Sequence, residues 1–250
     1  MSPLVFAANW KMHLGPEGAR RFMEVFLAQY AAARDREVWF FPPAVSLAAV
    51  AGMIRGKRGL TVGAQNVHWE PKGAFTGELS VAMAKEAGAR AALVGHSERR
   101  HVFGETDEET GKKVAALLEG GLTPMLCVGE KIEEREAGET LRVVERQLGV
   151  LAGFSGAQLA KVIVAYEPVW AIGTGKNATP RDAAEVHAFI RSWMVDRGAE
   201  RDVVRVLYGG SVKPDNVVSL VSENEIDGVL VGGASLVPDQ WAAMVATRLD

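Results

Sequence analysis

The chain has a single cysteine in 250 residues, so an internal disulfide is excluded and the sequence fits a reducing compartment. That residue, Cys127, lies in the apolar run PMLCV, where a small buried hydrophobe is expected rather than a reactive thiol. Long hydrophobic runs are missing too. No stretch approaches the ~18 apolar residues of a membrane-spanning helix. The N-terminal MSPLVFAANWKM has no basic segment, and its apolar run is too short for a signal peptide. A cytoplasmic protein is expected.

Charge of one sign is not in large excess: the formal net charge is −3, with both signs interspersed. That leaves no basic stripe for nucleic acid and no polybasic patch for a membrane surface. The nucleotide fingerprints GxGxxG after the first strand and GxxxxGK(S/T) are also absent. The five histidines, at 13, 68, 96, 101 and 187, show no HxH or HxxxH spacing, and the lone cysteine has no partner. No metal site is expected.

What is present is an alternation. Short β-rich runs occur at 4–10, 38–41, 60–64, 91–95, 123–129, 161–166, 204–208 and 227–232. Helical patterns separate them, among them ARRFMEVFLAQYAAA, VSLAAVAGMI and EETGKKVAALLEGG. Strands alternating with helices predict a parallel sheet with helical crossovers. The strands are continuously apolar, as when both faces are covered. Eight such units without a second composition block favour one α/β domain over residues 1–250, a closed (β/α)8 barrel with a parallel eight-stranded core. An open doubly wound sheet is the alternative.

In a parallel barrel, chemistry collects where strands end. Strand one ends in Asn9-Trp10-Lys11, strand four runs into Gly95-His96-Ser97-Glu98-Arg99-Arg100, and strand six ends at Glu167. Strands seven and eight run into Gly209-Gly210-Ser211 and Gly232-Gly233-Ala234-Ser235. Each has an ordinary structural reading: Lys11 as a solvated rim lysine, His96 as a helix-entry residue, the glycines as turns. Glu98 and Glu130 could pair with Arg99, Arg100 or Lys131. Together on one rim, they describe something more. Glycine turns followed by helix starts let backbone N–H groups approach a phosphate, with a lysine beneath adding full charge. A carboxylate, an imidazole and an ammonium suit proton abstraction beside a carbonyl. The carboxylate takes the carbon-bound proton and the other two stabilise the enediolate oxygen.

The ordered set NWKM (9–12), GAFTGE (73–78), GHSERR (95–100), YEPVWAIGTGK (166–176), YGGSV (208–212) and VGGASL (231–236) resembles the triosephosphate isomerase family, spread over the whole chain. The resemblance implies interconversion of dihydroxyacetone phosphate and D-glyceraldehyde 3-phosphate without a cofactor. It implies that Glu167 is the base, His96 the neutral electrophile and Lys11 the ammonium, with Asn9 holding a substrate oxygen. Backbone N–H groups of Gly173, Ser211, Gly232 and Gly233 would cradle the phosphate, while Ser97, Glu98 and Cys127 support these groups. It also implies a homodimer through the long loop 65–79, running from Gln65 to Leu79, with Thr76 reaching the partner's rim. The aromatics Trp69 and Phe75 in that loop agree, since a monomer would leave them exposed.

The segment YEPVWAIGTGKNATP (166–180) is long and apolar for a strand–helix connection. Pro168 keeps Glu167 extended. Thr179, Pro180 and Asp182 read as a helix start, followed by a buried stripe of Ala183, Val186, Ile190 and Trp193. The apolar residues 169–172 are expected to serve as a cover that excludes water.

Overall fold

The computed structural model describes residues 3–172 and 178–247. Eight strands, β1 (Leu4–Asn9), β2 (Arg36–Phe41), β3 (Leu60–Ala64), β4 (Ala91–Val94), β5 (Thr123–Val128), β6 (Ile163–Tyr166), β7 (Arg205–Tyr208) and β8 (Gly228–Val231), pair in sequence order. All pairs are parallel. The register runs from Leu4 opposite Arg36 to Asn9 opposite Phe41, and the ring closes with Val5 opposite Gly228 and Ala8 opposite Val231. An open sheet is thereby excluded.

The period-2 alternation of strand side chains sorts the apolar residues into two layers. Phe6 and Ala8 face outward into the larger cluster, shared with the helices, while Val5 and Ala7 face the lumen. Trp39 and Phe41 supply much of the lumen's bulk, and β3 makes room for them. A Cβ on Gly63 would lie 2.4 Å from the Phe41 ring. Cys127 is wholly buried in the lumen. Burial, followed by the nearby Glu167 charge, pushes its thiol pKa well up, which disfavours a reactive thiolate.

Outside the barrel lie α1 (Pro16–Gln29), α2 (Ala44–Ile54), α3 (Val81–Glu86), α4 (Ser97–Val102), α5 (Asp107–Gly120), α6 (Ile132–Glu136), α7 (Thr140–Leu148), α8 (Gly156–Leu159), α9 (Pro180–Val195), α10 (Val217–Val221) and α11 (Pro238–Val245). Their sequences explain their ends. Thr106 and Glu109 form a reciprocal capping box at the start of α5, and Gly121 closes it in the left-handed region at φ 72°. Thr179 and Asp182 do the same for α9, with Pro180 at its first position. The stripe Ala183, Val186, Ile190 and Trp193 is buried.

The first helix stops at Gln29, short of the alanines at 31–33 that extend its pattern. Tyr30 there turns extended, stacks on Phe26 at 5.4 Å and donates to the Arg58 carbonyl at 3.0 Å. Tertiary packing overrides alanine's helix propensity because the chain must turn back into β2.

Candidate active site

The strand ends surround a cleft of about 300 Å³ whose lining includes Asn9, Lys11, His96, Glu167, Gly232 and Gly233. Each side chain is placed by a short distance from a strand. Glu167 directly follows β6, and its N–H donates to Val128 O at 2.7 Å, so it extends the ladder to β5. The residue is 2% exposed. Oε2 accepts the Ser97 N–H at 2.9 Å, and Oε1 lies 3.0 Å from His96 Nε2. Burial alone would raise the Glu167 pKa. The His96 ring, the Ser97 N–H and the Lys11 charge outweigh it and hold the carboxyl below its ordinary value. The group is therefore ionised at neutral pH.

His96 caps α4, and its Nδ1 accepts the Glu98 N–H at 3.3 Å. That hydrogen bond leaves Nε2 as the ring's donor toward Glu167. Burial disfavours a proton on the ring, but the carboxylates of Glu167 and then Glu98 prevail and raise its pKa. The two observations pull against each other. A second ring proton on Nδ1 would point at the Glu98 N–H, so the hydrogen-bond geometry decides for a neutral ring wherever Glu167 is engaged elsewhere.

Lys11 adopts φ 49°, in the left-handed region that a lysine seldom occupies. Side chains on both sides hold it there. Asn9 Oδ1 accepts the Lys11 N–H at 3.0 Å, and Gln65 Nε2 donates to both Lys11 O and Phe41 O at 2.8 Å. The ammonium then reaches Glu98 Oε1 at 2.7 Å. Gln65 entered the sequence reading only as a loop boundary; no local pattern marks an amide that bridges two strands' carbonyls.

The expected partners of the rim carboxylates differ from the observed ones. Glu98 takes Lys11, because Arg99 turns to Glu105 and Arg100 turns to Asp107 at 2.6 Å and to the Cys127 carbonyl at 3.1 Å. Glu130, wholly buried, accepts Tyr166 OH at 3.1 Å and Trp170 Nε1 at 2.9 Å. Arg135 lies over the Trp170 ring at 4.7 Å. The chain leaving Glu167 is thus tied down through a single 3₁₀ turn, Val169–Ala171. Residues 173–177, with the expected phosphate contact Gly173, lie outside the described residues.

The two glycine turns make close approach possible. A Cβ at Gly209 would sit 2.9 Å from Glu167 Cγ, and one at Gly232 would sit 3.3 Å from Lys11 Cε. Each glycine therefore admits one of the charged side chains. A 3₁₀ turn starts at Gly233 immediately after β8. After β7 the expected helix start is delayed to Val217, because Asn216 folds the turn on itself: its Oδ1 accepts Lys213 N–H at 2.8 Å and its Nδ2 donates to Ser211 O at 3.1 Å. Ser211 is therefore presented on a turn rather than at a helix N-terminus. Among the described residues, no group of three or more His, Cys, Asp or Glu is placed to hold a metal ion.

Loop 65–79 stands out from the barrel, with residues 70–78 exposed. His68 stacks on Trp69 at 4.1 Å and meets Phe75 at 4.3 Å, and Thr76 and Phe103 line the same depression. Met12, next to Lys11, is 95% exposed and Phe103 70%.

A family model described as triosephosphate isomerase matches residues 4–248. Among curated relatives, the triosephosphate isomerase of Symbiobacterium thermophilum is 50% identical, covering 100% of this chain and 98% of its own. That of Aquifex aeolicus is 47% identical over 96% of this chain and 98% of its own. That of Caldanaerobacter subterraneus is 48% identical, with the same coverage of 96% and 98%. A closed eight-stranded parallel barrel, a carboxylate, imidazole and lysine on its carboxyl rim and a match from end to end agree: the chain belongs to the triosephosphate isomerase family.

Proposed function

We propose the following division of labour for the isomerisation of dihydroxyacetone phosphate and D-glyceraldehyde 3-phosphate, carried by one catalytic domain spanning residues 1–250. The observation that carries it is the single cluster formed by Glu167, His96 and Lys11 around the cleft. Glu167 is the base. Its carboxylate removes the C1 proton of the ketose, leaving an enediolate, and returns a proton to C2 to give the aldose. His96 donates from Nε2 to the developing oxyanion. When Glu167 turns toward substrate, the charge that raises the His96 pKa moves away from Nε2 and the ring stays neutral, with Nδ1 still accepting the Glu98 N–H. Lys11 adds a full positive charge beside the same oxygens. Asn9 has its Oδ1 engaged by Lys11 and offers its Nδ2 to a substrate oxygen. The phosphate rests on N–H groups of Ser211, Gly232 and Gly233, joined by Gly173.

We propose further that the protein is cytoplasmic and works as a homodimer, with loop 65–79 and Thr76 against the partner's rim near Asn9 and Lys11. The exposed Met12, Phe75 and Phe103 support a partner surface. No helix among the described residues is long and apolar enough to cross a membrane. Sedimentation at micromolar concentration is expected to give twice the 26.8 kDa chain mass; a species of chain mass alone would overturn the dimer. A coupled spectrophotometric assay with D-glyceraldehyde 3-phosphate tests the activity: turnover is expected, and binding without isomerisation would leave only a phosphosugar-binding barrel.

A further inference from the structure

Among the described residues, the cleft offers little unpartnered positive charge to a phosphate. Among its described lining residues the formally charged side chains are Lys11, Glu167 and Lys213. The Lys11 ammonium is engaged by Glu98 at 2.7 Å, and Glu167 carries a buried negative charge. The chain as a whole is at −3. That net charge gives a phosphate monoester dianion no long-range attraction, and among the described lining residues the Lys11 ammonium is already partnered.

Lys213 is the remaining cation among those residues. Its side chain is exposed and makes no ion pair or hydrogen bond among the described residues, while its backbone is fixed. Lys213 N–H donates to Asn216 Oδ1 at 2.8 Å, Lys213 O accepts Val217 N–H at 3.1 Å, and Asn216 Nδ2 closes the turn on Ser211 O at 3.1 Å. The preceding Val212 is 5% exposed and anchors the turn. An exposed lysine is therefore carried on a hydrogen-bonded turn, two residues from Ser211, among the residues that line the cleft.

We propose that Lys213 is a steering residue: it attracts the substrate's phosphate dianion into the cleft by long-range charge and takes no part in the chemistry. The inference rests on the isomerase reading and goes beyond it. Charge in a cleft mouth raises the local concentration of an oppositely charged ligand and its association rate, and salt suppresses the effect because the Debye length shrinks from ~30 Å at 0.01 M to ~3 Å at 1 M.

The test compares the full-length wild type with Lys213→Gln and Lys213→Arg at ~10 mM and ~500 mM ionic strength. For Lys213→Gln, kcat/KM is expected to fall about three- to tenfold at the low salt, with kcat unchanged and the deficit vanishing at the high salt. Lys213→Arg keeps the wild-type values, and unphosphorylated glyceraldehyde shows no difference between variants. Calorimetric titration with inorganic phosphate at both salts gives the same comparison without turnover. A Gln variant equal to wild type at low salt overturns the proposal. So does a deficit that persists at high salt or appears with glyceraldehyde, since either assigns Lys213 a contact or structural role. A wild type that binds phosphate with the predicted salt dependence but does not isomerise overturns the isomerase reading instead.

Discussion

The two ends of the barrel both carry charged groups removed from water, and they treat them in opposite ways. Where the strands begin, the networks are closed. Arg191 donates to Glu225 at 2.8 Å, Asp227 at 2.6 Å and the Val204 carbonyl at 2.5 Å, and Asp227 also takes the Val206 N–H at 2.7 Å. Arg36 pairs with Asp35 at 2.8 Å and donates to the carbonyls of Val245 and Thr247, tying the last helix to β2. Where the strands end, Glu167, His96 and Lys11 face a cleft, and the lysine sits in an unfavourable backbone region. A closed network spends its hydrogen bonds on holding the barrel. An open one keeps them for a ligand and accepts local strain in doing so. Stability and activity should therefore separate along the barrel axis.

The sharpest way to break that comparison is at Glu167. Glu167→Gln should lower kcat by about 10²–10⁴-fold, with only a modest drop in thermal midpoint, since the amide gives up the carboxylate's favourable interactions with His96 and the Ser97 N–H together with its burial cost. A thermal collapse in this variant would mean the carboxyl rim is structural after all. At the other end, Arg191→Met leaves Asp227 without its ion-pair partner and Glu225 with Arg201 alone. It should cost about 2 kcal/mol of stability in denaturant unfolding, less than the ~3–5 for a fully buried pair, because Glu225 and Asp227 keep 25% and 23% of their side chains exposed. Its kcat per folded molecule should be unchanged.

A finer test uses pH. His187 is wholly buried near the strand starts, and burial drives its pKa down to about 3 from 6.5. Between those values the unfolded chain binds the proton and the folded chain does not, so this contribution is complete above pH 6.5 and is lost as pH falls toward 3. Glu167 adds to the acid loss only lower down, as pH drops from its ordinary 4.5. His187→Leu should flatten the stability profile between pH 6.5 and 4.5, while the Glu225 carbonyl remains satisfied by Arg191 at 3.2 Å. An unchanged slope would show that the ring is not held neutral.

The barrel was legible in the sequence because most strands are short apolar runs, several with a polar residue at the end, as at Asn9 and Glu167, and helices such as α5 and α9 carry their own capping boxes. Strand positions and the capping box at Thr179 follow from neighbours in sequence. What was not legible depends on residues far apart. Gln65 bridging Lys11 and Phe41, and Glu98 choosing Lys11 over Arg99, are set by strand order around the ring, which no local pattern encodes. The end of α1 at Gln29 is similar: Tyr30 stops the helix through a contact with Arg58, against the preference of the alanines beyond.

The central claim is that a proton, not a hydride, moves between the two carbons through Glu167. Dihydroxyacetone phosphate converted by the wild-type protein in deuterium oxide, with the product read by proton NMR, tests this directly. The account predicts deuterium at C2 of the glyceraldehyde 3-phosphate formed, and product formation slowed by orders of magnitude in Glu167→Gln. Product with no deuterium at C2 together with Gln-variant turnover close to wild type would contradict it.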